Sequence, residues 1–192
     1  MSTLPTAAVS IALAAVLAAA PAATAQSKQG SSTGQSQAAK PAGKDTTAPA
    51  KPRADYGKYE FTLTTLEGKT VKLSDYAGKV VLVNLWAPWC GPCKIEMPGF
   101  AKLHEKYRAQ GFEIISVAVQ TNESAVRSFI EKTPLPWAVG INDDVAGKYG
   151  TYGLPDNYVF LPDGMLAKRF IGYTKEEALE PVIQAGLKRI RK

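Results

Sequence analysis

The chain has 192 residues, 45% of them apolar and 21% charged, with 23 basic and 17 acidic side chains and a net charge of +6. Residues 1–60 hold six of the basic and three of the acidic groups, which leaves 17 against 14, or +3, for the remainder. No clustered basic stripe of the kind that binds nucleic acid is present, and two cysteines with one histidine, His104, cannot by themselves fill a four-ligand structural zinc site.

Residues 7–20 form an almost unbroken Ala/Val/Leu/Ile run. As a helix it would span about 21 Å, short of a bilayer core of about 30 Å. Ala23-Thr24-Ala25 is a small-x-small pattern that a signal peptidase cleaves, so residues 1–25 are expected to be a signal peptide. No Lys or Arg precedes the apolar run, which leaves an uncleaved membrane tether as the alternative. With no cysteine before Cys90, a lipid-modified N-terminal cysteine is not expected. Residues 26–57 are mostly Gln, Ser, Ala, Gly, Pro, Thr and Lys, which bury too little surface to offset their ordering entropy, and they read as a disordered tether. Residues 58–192 are the globular part.

From Glu60 onward, alternation in 60–64 and 70–73 around Glu67-Gly68-Lys69 predicts a β-hairpin. Val80 to Trp86 is apolar except for Asn84, as in a strand covered on both faces. A helix beginning at Pro92 carries Phe100, Leu103 and Tyr107 on one stripe and ends near Gly111, with Pro98 kinking it. Residues 113–119 are a second buried strand. Asn122 or Ser124 can cap the next helix, with Val126, Phe129 and Ile130 inward. Trp137 to Val139 is a short strand, 145–149 a helical turn, and 157–161 and 166–171 are strands around Pro162-Asp163-Gly164. Thr174-Lys175-Glu176-Glu177 carries a capping-box signature for a final helix with Leu179, Val182, Ile183 and Leu187 inward. Alternating βαβα units followed by a hairpin and a helix predict an α/β fold: a mixed central sheet flanked by helices, with an added N-terminal β-hairpin.

Both cysteines lie in Trp89-Cys90-Gly91-Pro92-Cys93, between a buried strand and a helix. In that context Cys-x-x-Cys reads as a reversible thiol–disulfide pair, with metal binding and an inert staple as the alternatives. A fixed structural disulfide closing so short a loop removes little unfolded-state entropy.

This motif, with Gly153-Leu154-Pro155 before a later strand, Glu96-Met97-Pro98 after the second cysteine and a hairpin ahead of the redox strand, resembles the thioredoxin fold and, within it, the exported TlpA/ResA-like thiol–disulfide oxidoreductases. The resemblance covers residues 59–189. It departs at Asn157, where the family has Thr in a Pro-x-Thr-Phe pattern, and that difference is expected to touch the client groove and leave the redox chemistry alone.

At the helix N-terminus, unpaired N–H groups and the helix dipole favour the Cys90 thiolate. Lowering a thiol pKa from about 8.5 to about 7 raises its thiolate fraction at neutral pH from roughly 3% to roughly half. Cys90 is therefore the expected nucleophile and Cys93, one turn later, the resolving thiol. Gly91 lets a partner chain approach, Pro92 fits the first helical turn, and Trp89 flanks the sulfurs as an exposed plate. Glu96 shares a helix face with Cys93 and can carry its proton, an aspartate being replaced at Asn84 by an amide that cannot titrate; the alternative is a surface Glu supporting the helix. Trp86, Trp137 and His104 read as structural. The resemblance implies that Pro155 is a cis-proline, with the Leu154 backbone offering strand-like pairing to a client. It also implies a protein outside the cytosol, with a membrane electron-donor protein and exported client proteins (apocytochrome c before haem attachment, copper-site cysteines), and no cofactor. Its Gly-Pro pair leans towards a reductant. Rival readings are a disulfide donor on the same site, a Cu(I)-binding chaperone using both thiolates, and a redox-dead binding module.

Overall fold

A computed structural model describes residues 54–191 of the chain. The signal peptide expected at 1–25 and the tether up to residue 53 lie outside the described residues. Strand β3, Val80–Trp86, is buried at all seven positions and forms the middle of a five-stranded sheet. It pairs in parallel with β4, Phe112–Ala118, and antiparallel with β6, Asp156–Phe160. Strands β5, Ala138–Ile141, and β7, Leu166–Ile171, complete the order β5-β4-β3-β6-β7. The continuous apolar run of β3 follows from that central position, because both of its faces are covered.

One face of the sheet, through Leu82, Trp86, Ile114, Ala118 and Val159, packs on helices α1 (Gly91–Tyr107), α2 (Glu123–Lys132) and α4 (Glu176–Ile190). The stripes expected at Phe100, Leu103, Tyr107 and at Leu179, Ile183, Leu187 are buried there. The opposite face, through Val81, Val83, Leu85, Ile115 and Val117, packs on α3 (Asp143–Tyr149) and on the N-terminal segment. That segment includes the expected hairpin, β1 (Thr62–Thr64) and β2 (Thr70–Lys72), turning at Gly68 with φ of 76°. The hairpin is fastened to the β5 edge by a Thr65–Gly140 bridge and a hydrogen bond from Leu66 N to Val139 O of 2.9 Å, which covers an edge that would otherwise invite pairing with another chain.

Three expectations need correction. The tether does not run to residue 57: Tyr56 is buried, its ring meeting Phe160 edge-on at 5.6 Å, and residues 57–59 form a 3-10 turn. A single aromatic in a polar stretch was enough to extend the core, joining Tyr59, Tyr149, Tyr158 and Phe160 in a cluster of edge-on rings. The capping box at α4 does not form. Lys175 is the N-cap with no side-chain bond, because the Thr174 hydroxyl donates to Gly172 O and the Thr174 N–H is bound elsewhere. Finally, Trp137 precedes β5 and turns its ring into the helix-covered core.

At Gly140, a Cβ would stand 2.8 Å from Leu63 Cγ and closer still to Thr64 O. Gly140→Ala is therefore predicted to lower unfolding free energy by about 1–3 kcal/mol. In hydrogen exchange the amides of residues 62–72 should lose protection before those of β3, because the substitution pushes the hairpin off its edge.

Candidate active site

Chain direction places the motif. β3 delivers the backbone at the end of the central strand, Ala87 O accepts from Cys90 N at 3.0 Å, and α1 starts at Gly91. Cys90 is the N-cap, extended at φ −79° and ψ 106°, and its Sγ accepts the Cys93 N–H at 3.3 Å. The two cysteines are joined as a disulfide with Cα atoms 5.4 Å apart. Cys90 is 4% exposed and Cys93 fully buried, so the first sulfur is the one nearer solvent. A Cβ on Gly91 would meet nothing within 4 Å, so the fold itself does not require glycine there, and the space beside the sulfurs is open. Pro92 occupies the first helical turn, where its missing N–H removes no helical bond.

Trp89 is 60% exposed, as expected, and its indole N–H donates to Gln120 O at 3.0 Å. Gln120 has φ of 53°, the one positive value at a non-glycine among the described residues, and its N–H donates to Asp143 Oδ1 at 2.6 Å. The loop after β4 thus holds the Trp89 plate, a support the sequence did not reveal.

The Leu154–Pro155 bond is cis. Because Asp156 pairs with both Leu85 and Ile171, this loop enters the sheet at the same end from which the Cys90 loop leaves. Asp156 is buried and its carboxylate takes two bonds from Arg169, 2.9 Å from Nε and 2.6 Å from Nη2, plus one from the Thr151 hydroxyl at 2.8 Å. Arg169 Nη2 also reaches Gly150 O. Both ends of the 150–156 loop are therefore tied to one ion pair, and Tyr152 between them is 98% exposed.

Glu96 is the unusual group. It is 3% exposed, which removes the surface reading, and it lies one helical turn beyond Cys93. Its Oε1 accepts from Asn84 Nδ2 at 3.2 Å and from Asn157 Nδ2 at 3.2 Å; its Oε2 accepts from Asn157 Nδ2 at 3.1 Å and from Thr174 N at 3.1 Å. Burial pushes its carboxyl up to about 7, against the downward pull of the Asn157, Thr174 and Asn84 donors. The group is accordingly poised near neutrality, where a carboxyl can both accept and return a proton. A cleft of about 300 Å³, lined by Ile95, Glu96, Pro98, Gly99, Tyr173 and Thr174 among others, opens beside it.

Ser116, Asn84 and Asn157 form one row across the sheet, set by the registers Asn84–Ser116 and Asn84–Asn157. Asn157 is fully buried, so the expectation that it touches only the client groove is corrected: its side chain turns inward onto Glu96. The signal that could have found this row was present, since Asn84 and Ser116 interrupt apolar strands, Asn157 lies at the start of a third, and a buried polar group must find partners. Trp86 and Trp137 are core, and His104 is buried, bonded to Glu113 Oε2 at 3.2 Å and edge-on to Trp137. Among the described residues no helix is long and apolar enough to cross a membrane, and no cluster of three or more His, Cys, Asp or Glu side chains could hold a metal.

The chain is similar to known proteins. The AhpC/TSA family matches residues 58–169. The Thiol-disulfide oxidoreductase ResA of Bacillus cereus is 36% identical over 126 residues, 65% of this chain and 73% of that protein. The ResA of Bacillus subtilis is 33% identical over 121 residues, 62% of this chain and 68% of its own length. Among solved structures, a Chlorobium tepidum protein described as a candidate thiol:disulfide interchange protein DsbE superposes with a TM-score of 0.64 at 30% identity, covering 71% of this chain and 96% of that one.

The raised Glu96 carboxyl has a thermodynamic consequence. Between its unfolded value of 4.5 and its folded value of about 7, the folded state holds a proton that the unfolded state has released, so stability falls as pH rises through that window. The loss is on the order of 3 kcal/mol. Chemical denaturation of the oxidised protein from pH 4.5 to 8 is expected to show this decline, and Glu96→Gln to flatten it.

Proposed function

The chain belongs to the AhpC/TSA family and is a thiol–disulfide oxidoreductase like its ResA relatives, and from that premise we propose that it reduces disulfides in exported client proteins outside the cytosol. The observation that carries this reading is the asymmetry of the pair: Cys90 caps the helix at the open side, while Cys93 is buried one turn further in with Glu96 behind it.

In the reduced protein the Cys90 thiolate, favoured by the helix N-terminus, attacks one sulfur of a client disulfide. A bond forms between Cys90 and that sulfur, the client S–S bond breaks, and the other client sulfur leaves as a thiolate that takes a proton from solvent. Cys93 then gives its proton to the Glu96 carboxylate and its sulfur attacks Cys90 Sγ. The mixed disulfide breaks, the second client sulfur leaves as a thiolate that takes a proton from solvent, and Glu96 releases the proton it took from Cys93. The two electrons the client gained have come from the Cys90–Cys93 pair, now a disulfide. The Leu154 backbone beside cis-Pro155 supports this step by offering the client an edge to pair with, and the exposed Trp89 and open Gly91 leave room for it. An oxidising compartment does not return the pair to the dithiol form, so turnover needs a membrane protein that supplies electrons. Apocytochrome c and copper-site proteins, each presenting a cysteine pair, are clients of the right chemistry. The apolar run at residues 7–20 with Ala23-Thr24-Ala25 supports export.

A reducing role predicts a pair potential nearer the value of about −270 mV typical of thioredoxin than the roughly −120 mV of a strong disulfide donor, as read from glutathione equilibration. A value near the upper figure would reverse the direction proposed. In vivo, Cys93→Ala should accumulate clients disulfide-bonded to Cys90, and Cys90→Ala should accumulate none. An absence of adducts in Cys93→Ala contradicts the mechanism.

A further inference from the structure

The hydrogen bonds that end on Glu96 begin at Trp137, on the same helix-covered face of the sheet, and their direction is fixed there. The indole nitrogen of Trp137 can only donate, and it donates to Ser116 Oγ at 2.8 Å. The Ser116 hydroxyl hydrogen must then point elsewhere, to Asn84 Oδ1 at 3.3 Å. That fixes the Asn84 amide with its NH2 towards Asn157 Oδ1 at 2.8 Å and Glu96 Oε1 at 3.2 Å. Asn157 Oδ1 is thereby an acceptor, so its own NH2 faces Glu96, 3.2 Å from Oε1 and 3.1 Å from Oε2. The assignment of both amides follows from one donor-only group rather than from their own geometry. With the Thr174 N–H, every hydrogen-bond partner of the carboxyl is a donor, an arrangement matched to the carboxylate and unmatched to the protonated acid, whose O–H finds no acceptor among them.

We propose that Asn157 is a positioning residue for the exchange reaction: its amide, oriented by the chain from Trp137, aims N–H donors at both oxygens of Glu96 and holds that carboxylate ready to take the Cys93 proton. The inference rests on the reading that Glu96 carries this proton. It departs from the Pro-x-Thr pattern of the resembled family, because a threonine hydroxyl can donate or accept and offers one hydrogen, whereas the amide held here can only donate towards Glu96. The titratable and charged groups around Glu96 are Cys93 and Lys102 on its own helix and Tyr173, Lys175, Glu176 and Glu177 at the start of α4, which line the adjacent cleft. β3 and β6 present only the two amides, and the neighbouring Asp156 is committed to Arg169. Asn157 is thus the group whose replacement changes the carboxyl's donors without moving a charge of the cleft.

The test is a carboxyl carbon NMR titration of Glu96 in the oxidised, full-length protein, together with the pH profile for release of a model peptide thiol from a mixed disulfide preformed on Cys90. Asn157→Thr should raise the Glu96 midpoint measurably, and Asn157→Asp, which substitutes an acceptor and a like charge, by at least one pH unit. The acid limb of the release profile should move by the same amount, slowing release about fivefold at pH 7 for a one-unit rise, with recovery at high pH. An unmoved Glu96 midpoint in Asn157→Thr, or slowing at all pH values with the limb in place, would overturn the proposal; Asn157→Thr also serves where Asn157→Asp fails to fold. A wild-type limb that survives in Glu96→Gln would instead remove the proton-carrier reading, while the NMR midpoint still decides whether Asn157 governs the carboxyl.

Discussion

A carboxyl group closed in between a helix and the sheet it packs on is expensive unless it is well bonded, and Glu96 is held by three separate elements at once. Asn84 comes from the central strand, Asn157 from its antiparallel neighbour, and the Thr174 N–H from the turn into α4. That single requirement accounts for several local features. Asn84 interrupts an otherwise apolar β3, Thr174 gives up its capping role, and β6 buries an amide next to Asp156. The burial also ties the reactive helix to the sheet directly below the disulfide, so the chemistry and the packing of α1 depend on the same contacts.

The arrangement around the sulfurs follows a division of labour. The helix N-terminus acts on Cys90 through fixed dipoles, which do not titrate. In the proposed mechanism Glu96 serves the inner end of the pair through a proton, and its burial brings its carboxyl into the range where a proton is exchangeable near neutral pH. The cis-Pro155 loop is set by a different buried charge, Asp156 at the start of β6, neutralised by Arg169 from the neighbouring strand β7. Two adjacent residues of β6, Asp156 and Asn157, thus serve the loop above the sheet and the carboxyl beneath it, one on each face, as the twofold alternation of a strand allows.

Much of this was legible in the amino-acid order. β3 and β7 fall where apolar runs and turn residues placed them, Asn122 caps α2 through Ala125 N, and Gly68 and Gly164 take the positive φ their turns require. Cys90, Cys93 and Glu96 stood out because strand, motif and helix follow one another without a gap. What could not be read was lateral. Periodicity says which face a residue occupies, but not which residue stands beside it on another strand, and only the register brings Ser116, Asn84 and Asn157 into one row. The departure from Pro-x-Thr-Phe at Asn157 reads in the sequence as a difference of the client groove; its alternation in the strand turns it inward onto Glu96 instead. Tyr56 escapes the pattern for a similar reason, since one aromatic in a polar stretch has no period to betray its partner rings.

The central claim is that the two cysteines are unequal, Cys90 presented as a thiolate at the helix N-terminus and Cys93 held back as a buried thiol. Limiting iodoacetamide added to the fully reduced protein at pH 7, with the alkylated cysteine located by peptide mapping, measures this inequality directly. The account predicts modification of Cys90 at least about tenfold faster than Cys93, following the thiolate fraction and exposure of each. Equal modification, or faster modification of Cys93, would contradict it.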